Sequence, residues 1–477
     1  MMIEFILNDR LIQTGKPQGM PLADFIRYES GLRGTKIGCR EGDCGACTVM
    51  EGKNIHGNVV YKTILSCLTP LGKVHGRHIV TVEGLNGETL NPAQQAIADH
   101  SGTQCGFCTP GFVVSLMTHC LSGDTSSLEK TLASLDGNIC RCTGYKSLER
   151  AARQVWELNQ SRNNAKPVEW MVGNRYLPAW FIDISKRLSA IEKAPVIASE
   201  DAVIIGGGTD LMVSKADELM LAGFSHPIPE VFNEIEVTSG WCRIGGSVTM
   251  SEMLHSATLK PYFPRLEEYF KRISSTPVRN MATVAGNLAN ASPIADLAIF
   301  FLALDANILL TDVRQGNKRL LPLKEFFTGY KKLNLRKGEV ISEVQFNLPD
   351  KESRFNFEKV SRREHLDIAS VNSAILVSGE EGRITSVCLS AGGVSPIPLY
   401  LGNTCEFLAG KQICAETLTE ACGIIQSEIA PISDIRGSEA YKRLLLRQLF
   451  LAHFIELFPD NIDIPMLIST ITAGEKH

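Results

Sequence analysis

Nine of the fourteen cysteines in this 477-residue chain fall before residue 143, and their spacing constrains the fold more than any other feature. The run Gly38-Cys39-Arg-Glu-Gly42-Asp-Cys44-Gly45-Ala-Cys47 is followed, twenty residues later, by Cys67. This is C-x4-C-x2-C with a distant fourth cysteine, the plant-type [2Fe–2S] spacing. Four thiolates must converge on two irons, and three of them come from one tight loop. Such a loop needs glycine wherever φ turns positive or the backbone passes close to sulfide, and Gly38, Gly42 and Gly45 supply it. Structural zinc is the main alternative, but it favours short paired knuckles and fits this loop less well.

Cys105-Gly-Phe-Cys108 and Cys140-Arg-Cys142 form a second set. A C-x-C pair crowds a tetrahedral ion. Each pair also stands just ahead of a predicted helix, beginning at Thr109-Pro110 and after Thr143-Gly144-Tyr145. Helix N-termini carry partial positive charge, which favours a four-thiolate cluster. A thioredoxin-like reading of C-x2-C needs a preceding βαβ unit, and none is visible. Cys120, Cys242, Cys388, Cys405, Cys414 and Cys422 read as ordinary buried thiols.

Length implies several domains. Alternation around Asn8-Asp9 predicts a hairpin over 3–13, with a short helix over 21–30 and strands near 47–51, 58–61 and 79–83. Helical spacing follows at 92–101, 110–121, 127–136 and 146–159. The expected divisions are a β-grasp ferredoxin-like domain at 1–84, a four-helix domain at 85–160, a linker at 161–167, an α/β region at 168–348 and an α+β unit at 354–477. The last should contain strands at 368–378 and 383–391 and a helix within 436–457. The fold class is therefore α+β multidomain. A net charge of −4 gives no basic surplus for nucleic acid. No apolar run reaches membrane-spanning length, and the N-terminus lacks signal-peptide features, so the cytoplasm is the expected location.

Two further segments suit a cofactor. Ala202-Val-Ile204-Ile205-Gly206-Gly207-Gly208-Thr209-Asp210-Leu211 reads as a buried strand ending in three glycines, where amides could approach a phosphate. It is not a dinucleotide G-x-G-x-x-G, and alone it reads as a turn. From Thr276 to Leu297 small and polar residues crowd together, as along a cofactor wall; the plainer reading is a long surface loop.

GCREGDCGAC, QCGFCTPG and ICRCTGY resemble the N-terminal signatures of the molybdenum hydroxylase family, and all eight ligand positions are present. The glycine-bearing segments resemble the family's FAD-binding domain, of the vanillyl-alcohol-oxidase type. The resemblance implies two [2Fe–2S] clusters, the second nearest a molybdopterin on a partner chain and the first toward the flavin. It implies that residues 204–211 hold the FAD pyrophosphate and that Thr283, Gly286, Asn287, Ser292 and Asp296 line the rest. Ile273, Val340 and Lys359 match flavin-contacting positions, and Gln104 would lie near the partner's molybdopterin. The stretch Lys359–Ala369 resembles a loop that governs access of NAD to the flavin, although the plain reading of its charges is a solvated face. No catalytic side chain of its own is expected. The order of the parts resembles the small subunit of two-subunit xanthine dehydrogenases, which implies a large molybdopterin-binding partner, a heterotetramer or larger assembly, NAD as acceptor, and oxidation of xanthine or hypoxanthine to urate. An aldehyde or other N-heterocycle hydroxylase, and a stand-alone NAD(P)H-linked iron–sulfur flavoprotein, are the alternatives.

Two clusters require about four irons and about four labile sulfides per chain. Metal and sulfide analysis of the purified chain should find them with an equimolar amount of FAD; zinc without sulfide would refute the cluster reading.

Overall fold

The computed structural model describes residues 2–122, 124–192, 203–221, 232–363 and 365–474. They form two compact units, one of residues 1–229 with 275–282, the other of residues 230–274 with 283–477.

The first unit begins with the expected hairpin, Ile3–Leu7 paired with Arg10–Thr14, turning on Asn8 at φ 53°. Asparagine tolerates this left-handed conformation. His78–Val80 joins the first strand in parallel, and Thr48–Ile55 and Asn58–Leu65 complete a five-stranded mixed sheet. The first strand is covered on both faces: Ile3, Phe5 and Leu7 enter the main core of this sheet, while Ile6 packs with Ile184 and Leu188. The helix expected over 21–30 is a single α-turn at Leu22–Asp24 that widens to a π-turn over Phe25–Glu29. The strand expected at 79–83 stops at Val80.

Four helices follow at Pro92–Asp99, Thr109–Leu121, Leu128–Ala133 and Lys146–Gln160. Asn91 caps the first in a reciprocal box with Gln94. The second is apolar nearly all round and correspondingly buried. Residues 161–164 turn, as a linker would, but Pro167–Gly173 behind them is a helix. Its Met171 shares a core with Val155, Leu177 and Phe181, so the helical layer continues to residue 181.

Residues 275–282, part of the expected flavin region, belong to this unit. Asp136 accepts hydrogen bonds from the Thr276 N–H (2.8 Å), the Thr276 hydroxyl (2.9 Å) and the Arg279 guanidinium (2.8 Å). Asn280 donates to Thr63 O (2.9 Å), and the N–H of Leu65 approaches Met281 Sδ at 3.3 Å. The strand expected ahead of Gly206 reduces to one bridging residue, Ile205; Val203 is exposed, and Ala202 lies outside the described residues. The short apolar run is followed at once by three glycines, which offer no side chains to extend a strand.

In the second unit a five-stranded antiparallel sheet runs in the order Ile235–Thr238, Trp241–Gly245, Glu339–Asn347, Asn307–Asp312, Lys318–Pro322. A four-stranded antiparallel sheet follows, made of Ser353–Val360, Val371–Glu380, Arg383–Gly392 and Leu399–Tyr400. Its first strand was not expected, although Phe355 and Phe357 alternate; the second begins three residues later than predicted. Helices Gly402–Leu408, Ala415–Glu428 and Glu439–Leu457 cover it in one core. The helix Asp296–Leu302 is buried from Leu297 onward. Its Phe301 meets Phe346 of the first sheet and its Phe300 meets Phe355 of the second. Among the described residues no helix is long and apolar enough to cross a membrane.

Arg279 is nearly buried, so removing the Asp136 carboxylate, one of its partners, should cost about 3 kcal/mol. Asp136→Ala is therefore expected to raise local opening of residues 275–282 by roughly 100-fold, read by hydrogen–deuterium exchange. Unchanged protection would contradict the clasp.

Candidate functional site

Both cysteine groups of the first unit assemble in pairs. In the first, Cys47 and Cys67 are buried, with sulfurs 3.2 Å apart. Cys39 and Cys44, half-buried, hydrogen-bond to each other. The N–H groups of Glu41 and Cys44 both point at Cys39 Sγ, at 3.4 Å. The hydrogen bond from Cys44, helped by these amides, lowers the Cys39 thiol to about 4 against the effect of burial. Its partner Cys44 is pushed up, and the buried pair behaves likewise, Cys47 lowered and Cys67 raised. The loop turns at Gly42 (φ 87°) and Gly45 (φ 66°), where the glycine argument holds, but it also turns at Arg40 (φ 60°), which is not glycine.

In the second group the sulfurs of Cys105 and Cys142 are 3.7 Å apart and exposed. Cys108 hydrogen-bonds to Cys140; burial and this bond push the Cys108 thiol up to about 12. Although burial raises it, Cys140 is held low overall, the Thr143 hydroxyl donating to its sulfur at 3.1 Å. Cys108 caps the Thr109 helix, and Tyr145 at φ 68° starts the Lys146 helix, so both predicted helix starts stand at the thiols. Exposed Gln104 donates to Cys142 O at 3.1 Å. Among the described residues no three ligand-type side chains close around a single ion. Two thiols to each of two metal atoms, with amide and hydroxyl donors on the sulfurs, is what a [2Fe–2S] cluster takes. The donor sets fit that group.

The two groups touch through backbone. Ile139, next to Cys140, donates its N–H to Cys44 O at 3.0 Å. Buried Asn138 donates to Gly45 O at 3.1 Å and accepts from the Ser115 hydroxyl at 2.7 Å. A Cβ on Gly45 would lie 2.0 Å from Gly137 O, so only glycine allows the approach. A Cβ on Gly38 would stand 3.4 Å from the Phe107 ring, which lies between Cys105 and Cys108. Nothing in the cysteine spacing announced Asn138 or Ile139; their position just ahead of Cys140 was the only hint. Of the other cysteines, Cys120, Cys242, Cys405 and Cys422 are buried as expected, burial pushing the first to about 11 and the other three to about 12, whereas Cys388 and Cys414 are only half-buried.

The flavin candidates divide between the units. Residues 204–211 belong to the first. There Gly207 backs onto Met281 O, 2.3 Å from where its Cβ would stand, and Gly208 takes φ 83° against Leu68 and Pro70. Leu68 adjoins Cys67, so this turn rests on the chain carrying the first group's fourth thiol. Thr209, Asp210 and Leu211 lead into the short helix Leu211–Ser214.

In the second unit Thr283 caps the helix Val284–Ala289 through the N–H of Gly286 (3.1 Å). Asn287 leaves a buried Oδ1 without a partner among the described residues. Ser292 accepts a long bond from Ile294 N, 3.5 Å. Ile273 and Val340 are buried apolar residues. Lys359 and Asp296, far apart in sequence, form one ion pair at 2.9 Å, the lysine 1 % exposed. Lys359 also donates to Arg272 O (2.9 Å). Asn372, absent from the sequence expectations, donates to Asp296 Oδ1 (2.6 Å), and its own Oδ1 is buried with no hydrogen-bond partner among the described residues. A charge-paired wall with unmatched amide oxygens fits a polar cofactor such as a flavin.

The stretch after Lys359 is ordered by Asp367, which accepts from the N–H groups of Arg362 (3.0 Å), Arg363 (3.1 Å) and Ile368 (2.9 Å). Burial opposes ionisation there, yet these amides hold the carboxyl below its usual range. Glu364 lies outside the described residues.

Four family descriptions match the chain in order: a 2Fe-2S iron-sulfur cluster binding domain (residues 5–72), a [2Fe-2S] binding domain (81–153), the FAD binding domain in molybdopterin dehydrogenase (183–349) and the CO dehydrogenase flavoprotein C-terminal domain (356–457). Curated relatives include xanthine dehydrogenase of Blastobotrys adeninivorans, 28 % identical over 92 % of this chain and 39 % of that protein. Aldehyde oxidase 1 of Bos taurus is 26 % identical over 95 % of this chain and 39 % of its own length. The chain thus spans about two fifths of the length of these relatives. Among solved structures, reconstituted CO dehydrogenase from Oligotropha carboxidovorans shares the fold over 55 % of this chain and 91 % of its own, at TM-score 0.51 and 22 % identity. Quinoline 2-oxidoreductase from Pseudomonas putida 86 does so over 54 % of this chain and 90 % of its own, at TM-score 0.50 and 24 % identity.

Asp296→Ala strands a buried ammonium and should cost about 3 kcal/mol locally. The expected result is a chain that loses FAD while keeping its iron and sulfide, measured by absorbance and metal analysis; full flavin content would contradict the assignment.

Proposed function

The chain belongs to the molybdenum hydroxylase family as its iron–sulfur and flavin part, and on that premise we propose that it carries electrons from a molybdopterin-binding partner to FAD and then to NAD. The observation that carries this reading is the backbone contact between the two cysteine groups, Ile139 N–H to Cys44 O. It gives a short covalent and hydrogen-bonded route from Cys140 to Cys44. When bound, the clusters supply one-electron steps and the flavin converts them to the two-electron chemistry of hydride transfer.

The chain's own residues give the relay a direction. Cys105 and Cys142 are exposed beside Phe107, Ile139 and Tyr145, all large apolar side chains left at the surface. Apolar side chains around an accessible thiol pair favour a docked partner over a stand-alone carrier. At the other end the buried pair Cys47/Cys67 adjoins Leu68, against which Gly208 rests. In the first unit the Gly206–Gly208 turn is assigned the FAD pyrophosphate. In the second, Thr283, Gly286, Asn287, Ser292 and the Asp296–Lys359 pair, with Ile273 and Val340, are assigned flavin contacts. The partner is read as a large molybdopterin-binding subunit in a heterotetramer or larger assembly, in the cytoplasm.

The substrate proposed for the assembly is xanthine or hypoxanthine, oxidised to urate, as the similarity to xanthine dehydrogenases supports. The similarity to an aldehyde oxidase supports a second reading, an aldehyde or N-heterocycle hydroxylase. Assaying the intact complex for NAD reduction with xanthine and with aldehydes separates the two; no xanthine-dependent NADH would overturn the first.

Cys142→Ser should abolish substrate-driven reduction of the flavin while NADH-to-dye activity persists. Loss of both activities would contradict the proposed order.

A further inference from the structure

The turn that leads from Cys140 into the Lys146–Gln160 helix folds back on Cys140 itself. The Thr143 hydroxyl donates to the Cys140 sulfur at 3.1 Å, and the Cys140 N–H donates to the Tyr145 phenol oxygen at 3.2 Å. One residue back, the Ile139 N–H is held by Cys44 O at 3.0 Å. Cys140 is thus fixed through its sulfur, its amide and its neighbour.

The turn is strained. Gly144 (φ 62°) and Tyr145 (φ 68°) both enter the left-handed region. Glycine does so freely, but a tyrosine there is an outlier. Such strain persists where the surroundings over-determine it, and it gathers at working sites. Here the strained residue is the one whose phenol takes the Cys140 amide. A turn closed in this way leaves Thr143 little freedom, and its branched Cβ restricts χ1 further. Its hydroxyl is a fixed dipole aimed at one ligand sulfur.

The two cysteine groups differ in kind at this point. In the first, the N–H groups of Glu41 and Cys44 point at Cys39 Sγ. In the second, a side chain donates to Cys140. A backbone amide survives most substitutions at its position, whereas a hydroxyl is lost with its side chain. Adding one electron to a [2Fe–2S] cluster adds one negative charge, shared by its sulfurs; no bond forms or breaks and no proton moves. A donor aimed at a sulfur favours that charge and raises the reduction potential.

We infer that Thr143 is a positioning residue that sets the reduction potential of the second cluster through Cys140, and with it how readily that cluster takes the electron entering at Cys105 and Cys142. The inference rests on the cluster reading of this group. It separates the two clusters chemically, since one of them alone would answer to a change at residue 143.

The test is a redox titration of the full chain with both clusters in place. Dithionite supplies the electrons, and each cluster is followed by its own paramagnetic resonance signal. The signal altered in Cys142→Ser identifies the second cluster. Thr143→Val should lower the reduced-to-oxidised ratio of that cluster about tenfold at a fixed potential, a fall of about 59 mV in its midpoint for one electron. The first cluster should keep its midpoint, with iron and sulfide unchanged. Thr143→Ser, which retains the hydroxyl, should restore the wild-type value. Thr143→Ala removes the hydroxyl without crowding the turn, and it carries the test if the valine variant fails to assemble its clusters. A second-cluster ratio within twofold of wild type in a variant lacking the hydroxyl, an equal shift of both clusters, or no recovery in the serine variant would overturn the inference and leave the cluster reading standing. A wild-type chain with no second iron–sulfur signal would overturn the cluster reading, and this inference with it.

Discussion

The redox reading depends on one close approach, that of the loop bearing Cys39, Cys44 and Cys47 to the loop bearing Cys140 and Cys142. The approach is made of main-chain contacts, Ile139 N–H on Cys44 O and Gly137 O too near Gly45 for any Cβ there, with the Asn138 side chain on Gly45 O beside them. Backbone contacts cannot lengthen by a change of rotamer, so they fix the separation of the two loops. Other features of the unit conform to it. Gly111 at the start of the Thr109 helix must also lack a side chain, since its Cβ would lie 2.5 Å from Gly45 O. Asn138 is buried and bonded to Gly45 and Ser115, which keeps its polar atoms satisfied where water is excluded.

The second unit solves a different problem, holding charge in a dry interior. Asp296 opens a helix that is otherwise apolar, where the peptide dipole favours an acid. Burying that carboxylate is tolerable because Lys359 and Asn372 complete it from two adjacent strands of the second sheet. The lysine is in turn bonded to Arg272 O. Such a pair adds little net stability but is costly to break, which suits a fixed wall better than a moving part.

Much of this was legible in the sequence, and the reasons differ by feature. The cysteines were readable because metal chemistry dictates both residue type and local spacing, and the helices around them by their spacing, with Pro110 and the Thr143-Gly144-Tyr145 turn marking two of the starts. Asp296 and Lys359 were recognised singly, by resemblance, but their pairing joins two distant segments and leaves no local pattern. Asn372 sits in a strand among apolar neighbours and looks like an ordinary buried polar residue. The membership of residues 275–282 in the first unit rests on Asp136, Thr63 and Leu65, contacts that no periodicity encodes. The charge run after Lys359 looked like a solvated face; its order comes from one carboxylate, Asp367, folding back on three amides.

The loops that would hold two binuclear clusters are in direct backbone contact in this chain. Electron paramagnetic resonance of the fully reduced chain tests that reading most directly, because both clusters are then paramagnetic. The account predicts two distinct iron–sulfur signals with mutual spin–spin splitting that disappears when only one cluster is reduced. Two signals that stay unsplit on full reduction, or a single cluster signal, would contradict it.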